Sequence, residues 1–452
     1  MNILSRIIPP EPYRRNYLAY VGHGVLWAVA VPLFHPAAVV PVVLEHYGVT
    51  PFWIGVAVSL YTLGLSIPLL PIAALTSHRP YRKRWMLAIT YIGRAMLIVP
   101  VFVLLLAPHR PMLIAVAYTF GFASFWFAEG AYSGLYIDIL GRVLPPHWRG
   151  RMFAFFQSFG GIFAAVLAWT VVSRALTAAD YELGQALLLG GAFTLAMAGT
   201  SFMIGIREPA APVERKQSLG DLIREIPGRL RAQPRFIRLV LVQILLLSVP
   251  MSYSFIPLGA QAHLGRFDGE FASMAGSFLL LERIGFVIAA WVWGSISDRF
   301  GTRRSMVTIG VIMLIASALP LVLEFVLTPD NTAHWAFSPM YLYGIVYLLM
   351  GASIDGLWVA TALHVLDLIP EAQRNIYLAI KQTIFSVALI WPVLGGFVVE
   401  VAGFRTVYVF TIITVALGLW LACGMVEPRE MAQNSEAGIE AEVEHTFMGE
   451  SR

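Results

Sequence analysis

Two things are scarce in this sequence of 452 residues: cysteine and charge. The one cysteine, Cys423, excludes an intrachain disulfide and a metal site built from cysteines. Charged residues make up 13% of the chain, about half the share in soluble domains. Hydrophobic residues make up 58%. This composition predicts a protein that faces lipid rather than a soluble enzyme.

Catalytic motifs are missing as well. The sequence contains no glycine-rich phosphate loop, no HExxH metal motif and no nucleophile elbow at a strand–helix turn. We therefore expect neither an ATP-driven pump nor a membrane enzyme, and we assign no catalytic residue, no cofactor and no metal ion.

Long apolar runs are abundant. A helix needs about 20 mostly apolar residues to cross the hydrocarbon core. The sequence predicts twelve such spans, at 18–44, 52–76, 85–107, 112–141, 152–173, 184–205, 236–262, 271–296, 305–328, 338–366, 375–400 and 404–425. The apolar and polar residues do not alternate as in a membrane β-barrel. We expect an all-α polytopic membrane protein in contact with the lipid bilayer. Pro32, Pro36 and Pro41 in the first span and Pro250 and Pro257 in the seventh predict kinks or broken helices.

Basic residues are unevenly distributed between the connections. They gather at alternate connections, namely Arg14–Arg15, Arg79–Arg84, Arg142–Arg151, Arg207–Arg238 and Arg299–Arg304. This bias indicates that these connections and both termini are cytoplasmic. It also explains the net charge of +4 without a nucleic-acid partner. A bacterial inner (plasma) membrane is the expected location, with no cleaved targeting segment.

The polar segments divide the chain into five parts. We predict a cytoplasmic N-terminus at 1–17, a six-helix bundle at 18–206, a cytoplasmic linker with a short amphipathic helix at 207–235, a second six-helix bundle at 236–425 and a disordered acidic cytoplasmic tail at 426–452.

The two predicted bundles share a sequence repeat. With an offset of 225, Pro145 matches Pro370, Arg149 matches Arg374, Ala154 matches Ala379 and Gln157 matches Gln382. With an offset of 220, "HRPYRKR" at 78–84 matches "DRFGTRR" at 298–304. Internal repeats of this kind are typical of secondary transporters, which move one bundle against the other around a central site.

The stretch "GSISDRFGTRR" at 294–304 resembles the G-x-x-x-D-R-x-G-R-R signature of the major facilitator superfamily, with Thr302 inserted. The first-half copy, "ALTSHRPYRKR", is degenerate, with His78 in place of the aspartate. The resemblance implies two pseudo-symmetric six-helix bundles, transport by alternating access, and a central cavity lined by the first, fourth, seventh and tenth spans. Such proteins commonly act as monomers.

By this resemblance the motif forms a cytoplasmic gate. Asp298 is expected to face the N-terminus of the fifth helix, where unpaired N–H groups attract a carboxylate. Arg299 is expected to bridge to Asp367. The full predicted gate comprises Gly294, Asp298, Arg299, Gly301, Arg303, Arg304, Asp367 and Arg79. The alternative is a basic anchor loop without a gating role.

Four charged residues lie near the bilayer centre when they are counted inward from the cytoplasmic turns: Glu129, Glu282, Arg283 and Asp355. Charges at this depth are costly and are functional candidates. Their helix faces add aromatic candidates for a substrate cavity, namely Tyr132, Tyr136, Tyr347 and Trp358. The alternative is a structural ion pair of Arg283 with Glu129 or Glu282.

The sequence thus predicts a secondary transporter for a small amphipathic or aromatic organic solute, coupled to protons. We expect Glu129 and Asp355 to face one another across the cavity, with Asp355 as the proton carrier. Arg94, Lys381 and His364 are expected nearer the cytoplasm, paired with acids such as Asp138 or Asp367. The alternative function is a non-transporting relative that binds a pigment, a lipid or a partner protein.

Overall fold

The computed structural model describes residues 9–76, 78–211, 219–264, 270–328, 338–369 and 374–427. Within them the side chains of residues 146, 147, 219, 221–223, 270–272, 290, 291, 294, 295, 298, 374–376 and 379 are not described. Every regular element in these ranges is helical, as the apolar runs predict.

In the first half, the helices are Arg14–Ala30, Val31–Phe34, Val40–His46, Pro51–Ser66, Leu69–Thr76, Lys83–Ala95, Ile98–Leu106, Pro111–Val143, Pro146–Leu167, Ala168–Val172, Ser173–Leu176 and Tyr181–Met203. In the second half they are Pro234–Leu246, Pro250–Tyr253, Ile256–Leu264, Glu270–Phe300, Thr302–Val326, Pro339–Leu342, Tyr343–Leu368, Arg374–Phe385, Ser386–Leu389, Ile390–Ala402 and Phe404–Cys423. The helix Leu219–Ala232 lies between the halves, within the predicted linker.

Among the described residues, 11 helical stretches are long and apolar enough to cross a membrane. They fill eleven of the twelve predicted positions. The eighth position is occupied by the helix Glu270–Phe300, whose 31 residues include Glu282 and Arg283 at their middle. The all-helical membrane fold is as predicted.

The first and seventh spans are broken, as their prolines predict. In the first span the α-helix gives way to a 3-10 turn at Val31–Phe34, and regular helix resumes only at Val40. In the seventh span the breaks follow Leu246 and Tyr253. Proline lacks an N–H group and clashes with the preceding turn. The breaks place non-helical backbone at equivalent points of the two halves, near the molecular centre.

The two halves touch through backbone at the ends of the helices far from the linker, which we call the opposite face. A side chain at Gly55 would collide with the carbonyl oxygen of Pro392, and one at Gly396 with that of Pro51. Gly276 lies equally close to the carbonyl of Ala168. Because glycine has no Cβ, helices of the two halves pack here at the closest distance backbones allow.

The other face, which we call the linker face, is polar. Here Glu208 accepts hydrogen bonds from the backbone N–H groups of Arg82 (2.8 Å) and Lys83 (2.9 Å), at the start of the third span. Glu427 caps the ninth span in the same way, accepting from the N–H of Arg303 (2.9 Å). The prediction that disorder begins at residue 426 is wrong at its boundary, because Glu427 is buried in this cap; residues 428–452 lie outside the described part of the chain.

Candidate functional site

A central cavity of about 330 Å³ lies between the two halves. Broken segments of the first and seventh spans contribute to its wall. Its polar and aromatic lining is Trp27, His35, Tyr61, Thr62, Trp126, Gln157, Tyr253, Ser254, Glu282, Arg283, Phe286, Asp355, Trp358 and Phe385. The volume suits a small organic molecule.

The cavity is closed on the opposite face and reached from the linker face. One stripe of the fifth span shows this, because Gln157, Gly161 and Ala164 line the cavity at helical spacing. Ala154 and Gln157, nearer the linker face, are exposed, whereas Gly161, Ala164 and Ala168 are buried. Along this stripe the exposed residues are therefore those nearer the linker face, and the residues nearer the meeting of the halves are covered.

Glu282 is held by donors from both halves. Its Oε1 lies 3.2 Å from Nε2 of His35, and its Oε2 accepts from the Tyr253 hydroxyl at 2.9 Å. His35 Nδ1 accepts from the backbone N–H of Ala37, so Nε2 carries the ring proton in a neutral imidazole. The broken first span thus presents an N–H donor to the eighth span across the interface.

Asp355 lines the same cavity and is exposed within it. Gly351, one helical turn earlier, touches the carbonyl oxygen of Glu282, which brings the eighth and tenth spans together at this depth. Arg283 also lines the cavity, and it acts electrostatically on Asp355. Among the described residues, however, neither Asp355 nor Arg283 has a hydrogen bond or an ion pair within 4 Å.

Glu129 does not face Asp355 across the cavity, contrary to prediction. Its Oε1 lies 2.6 Å from Nη2 and 2.7 Å from Nε of Arg94, whose side chain is fully buried. Its Oε2 accepts from the indole N–H of Trp27 at 3.0 Å. The predicted pairing of Arg94 with a cytoplasmic acid is therefore wrong, as is the pairing of Glu129 with Arg283. Glu129 lies behind the cavity wall, and Trp27 separates it from the lumen.

Three of the four predicted aromatic lining residues lie elsewhere. Tyr132 bonds Nε2 of His23 at 2.7 Å and packs with Tyr136 in an apolar cluster towards the linker face. Tyr347 is buried, stacked on Phe278. Trp358 does line the cavity, as predicted. Side chains on one face of a helix point in the same direction. What each ring contacts, however, depends on which helix lies beside it at that depth.

The gate motif is only partly described. Gly301 has a φ of +86°, which allows the tight turn between the eighth and ninth spans. Arg303 donates to the carbonyl of Cys423 at 2.6 Å. The side chain of Asp298 and the Cβ environment of Gly294 lie outside the description, and Arg304 and Arg79 are exposed.

The predicted bridge from Arg299 to Asp367 is not formed, since no ion pair within 4 Å joins these two residues, and Arg299 pairs with no described residue. The link to the tenth span is made instead by Thr302, whose hydroxyl bonds Nδ1 of buried His364 at 2.8 Å. Among the described residues neither His364 nor Lys381 has the acidic partner predicted for it, and the ammonium group of Lys381 donates to Thr361 at 3.1 Å.

Sequence reasoning missed His35, Trp27, Tyr61, Trp126 and Tyr253 as lining residues. The prolines around His35 signalled a broken helix, and a break near the bilayer centre was the available clue. Nothing in the local sequence marks Tyr61 or Trp126, whose rings pack edge-to-face at 4.4 Å across two helices. Within the described residues, no three His, Cys, Asp or Glu side chains cluster as metal ligands.

Paired helical bundles that enclose a charged central cavity, closed on one face, define a membrane carrier. A sequence model of the Major Facilitator Superfamily matches residues 17–350 and 244–445. The chain belongs to the major facilitator superfamily.

Solved structures share the fold at low sequence identity. A variant of the nucleoside transporter NupG aligns over 90% of this chain and 100% of its own, with a TM-score of 0.66 and 17% identity. A D-xylose-proton symporter aligns over 92% and 98%, with a TM-score of 0.65 and 12% identity. A bacterial homologue of the iron transporter ferroportin, in an inward-facing state, aligns over 94% and 99%, with a TM-score of 0.58 and 13% identity.

One curated protein is similar in sequence over a short range. It is a "Na(+), Li(+), K(+)/H(+) antiporter" of Planococcus maritimus, 29% identical over 157 residues, which are 34% of this chain and 35% of the antiporter. The alignment thus spans about a third of the relative's length.

Proposed function

We propose that this protein is a secondary active carrier, not an enzyme, that moves a small organic solute by alternating access coupled to protons. The observation that carries the proposal is Asp355, a carboxylate exposed in a central cavity with no bonding partner among the described residues. A carboxylate of this kind can gain and lose a proton as the cavity opens to one side of the membrane and then the other. A carboxylate held in an ion pair must first lose the free energy of that pair.

The surroundings of Asp355 support its role as the proton carrier. The charged and titratable groups that act on it or lie beside it are Arg283 and Glu282 on the eighth span and Tyr61 on the second. Lys381 and His364 are engaged by Thr361 and Thr302. Glu282 is held by two donors. Asp355 is thus the carboxylate of this group whose protonation breaks no bond.

In this proposal the linker face is cytoplasmic, the protein works as a monomer, and the two bundles, 18–206 and 236–425, move as units. The basic connections support this orientation. Arg304 is exposed on the linker face, so a cysteine there, in a chain with Cys423→Ser, serves as a reporter. Labelling of Arg304→Cys by an impermeant maleimide only after the inner face is opened supports the orientation. Labelling in intact cells overturns it.

The gate around Gly301 belongs to the same proposal. Closure of the linker face would bring the turn Gly301–Arg304 towards the N-terminal end of the fifth helix, with Asp298 meeting its N–H groups. Asp298→Asn should then slow transport and leave expression unchanged. Parent-like turnover together with parent-like accessibility of the linker face would remove Asp298 from the gate.

The decisive experiment is uptake into proteoliposomes that contain the full chain, with and without an inward proton gradient, over a panel of radiolabelled organic solutes. The proposal expects accumulation of at least one solute only with the gradient. Asp355→Asn should lose accumulation and keep exchange at equal pH. The matched control is Asp180→Asn, which makes the same chemical change at a helix cap far from the cavity. If Asp355→Asn accumulates solute like the parent, protons are not carried there.

A second candidate, cation/proton exchange, is favoured by the antiporter relative alone. The same vesicles decide it, because Na⁺, Li⁺ or K⁺ added outside would drive proton efflux that a pH dye reports. Absence of both solute accumulation and cation exchange would favour a non-transporting binder of a pigment, a lipid or a partner protein.

A further inference from the structure

The cavity holds one arginine whose partner is missing. Arg283 is the only Lys or Arg that lines it among the described residues, and its guanidinium has no hydrogen bond or ion pair with any of them. A guanidinium is always charged and presents five donors in a planar fork. At mid-membrane depth an unpaired cation is costly, so a site of this kind is completed by an anion.

The neighbouring acids do not pair with Arg283. Glu282 is adjacent in sequence, but its two oxygens are engaged by His35 at 3.2 Å and by Tyr253 at 2.9 Å. Asp355 influences Arg283 through space without coming within ion-pair distance. Glu129 is occupied by Arg94. The fork of Arg283 is therefore open to an occupant of the cavity.

Much of the remaining cavity wall is aromatic. Trp27, Tyr61, Trp126 and Trp358 line the cavity with rings that suit a flat apolar body. The volume of about 330 Å³ leaves room for such a body together with a small charged head.

We infer that the transported solute is an organic anion, a carboxylate with an apolar or aromatic body, and that Arg283 is the residue that binds its head. The inference rests on the proposed function and names its substrate class. A proton on Asp355 removes the competing negative charge beside Arg283, so solute carboxylate and proton bind together. The loaded cavity then carries the same net charge as the empty one, since one proton and one anion add nothing.

Four probes with one body and different heads test this directly: 3-phenylpropanoate, 3-phenylpropan-1-ol, 3-phenylpropylamine and phenylalanine. Binding to the purified full chain in nanodiscs is measured calorimetrically, with no transport required. The carboxylate should bind at least about tenfold more tightly than the alcohol, because a charge-assisted bidentate bond replaces a neutral one. Tighter binding of the amine, the alcohol or phenylalanine overturns the inference, as does a carboxylate that fails to bind at millimolar concentration.

Variants of the protein then test which residue binds the carboxylate head of the probe. Arg283→Gln should abolish the preference for carboxylate over alcohol, and Arg283→Lys should keep part of it. In the parent, carboxylate affinity should rise as pH falls, and in Asp355→Asn it should be high and independent of pH. A carboxylate preference that survives in Arg283→Gln excludes Arg283. If Arg283→Gln does not fold, the four-probe comparison on the parent and the Lys variant still decides.

Failure here and failure of the transport proposal are distinguishable. If the carboxylate does not bind while another solute accumulates with the proton gradient, the substrate class is wrong and proton-coupled transport stands. If the carboxylate binds through Arg283 and nothing accumulates, the anion site stands and transport does not.

Discussion

The two halves treat mid-membrane charge in opposite ways. In the first half Arg94 and Glu129 close on each other at 2.6 Å, fully buried, with Thr200 and Trp27 taking the remaining bonds. In the second half Arg283 and Asp355 face a shared lumen and bond to no described residue. Charged residues within the spans thus hold one bundle together and remain available to an occupant in the other.

This difference teaches that depth in the membrane does not by itself identify a working charge. A buried pair that satisfies itself contributes to the architecture, and removing one partner leaves an uncompensated charge. A charge without a partner is tolerated because something else completes it. The second half is therefore where we place substrate and proton, with the first half as the scaffold that supports Trp27 in the wall.

The largest effect is expected from breaking the buried ion pair of Arg94 and Glu129. Arg94→Gln should destabilise the protein by about 3–5 kcal/mol, because Glu129 remains buried and unpaired. Thermal unfolding in detergent measures this loss. The double variant Arg94→Gln/Glu129→Gln should recover part of it. A single variant as stable as the parent would show that the pair does not hold the first bundle.

Asp355→Asn should do the reverse, changing function and sparing stability. We expect its unfolding free energy to stay within about 0.5 kcal/mol of the parent, because no bond of Asp355 is lost. Gradient-driven accumulation should disappear. The comparison between the halves fails if Asp355→Asn is destabilised as strongly as Arg94→Gln under the same conditions.

The link from His35 to Glu282 crosses between the halves and should bias which face is open. His35→Ala should shift the balance towards opening of the opposite face by about 1 kcal/mol, roughly fivefold in population. The reporter is a cysteine at cavity-lining Ala388, labelled from the opposite face in the Cys423→Ser background. Tyr253→Phe is the matched control, since it removes a bond to Glu282 within one half. Equal labelling of both variants would refute the gating role of His35.

Losses of stability smaller than that of Arg94→Gln are expected at the two glutamate caps. Glu427→Gln should cost about 1 kcal/mol, typical of a helix cap. Glu208→Gln should cost about 2 kcal/mol, because Glu208 also pairs with Arg142 at 2.8 Å. Unfolding temperatures of the two variants, measured side by side, test the order. A larger loss for Glu427→Gln would reverse it.

The sequence predicted the spans, the proline breaks and four of the cavity residues, because hydropathy and depth in the membrane can be counted along the chain. These four residues are Glu282, Arg283, Asp355 and Trp358. It failed for Glu129 and Tyr132, since the partner of each comes from another helix, Arg94 for one and His23 for the other. The glutamate caps were missed although "EP" recurs at 208–209 and 427–428. Pairings between helices depend on rotation about each helix axis, which periodicity does not specify.

The glycine contacts on the opposite face have a further consequence. Contact between main chains at Gly55, Gly276 and Gly396 carries no net charge, so dissolved ions do not weaken it. On the linker face, the ion pairs of Arg82 with Asp138 and of Arg142 with Asp138 and Glu208 all lie within the first half, so they do not join the two halves. Closure of the opposite face should therefore be insensitive to the ionic strength of the medium, and salt alone should not open it.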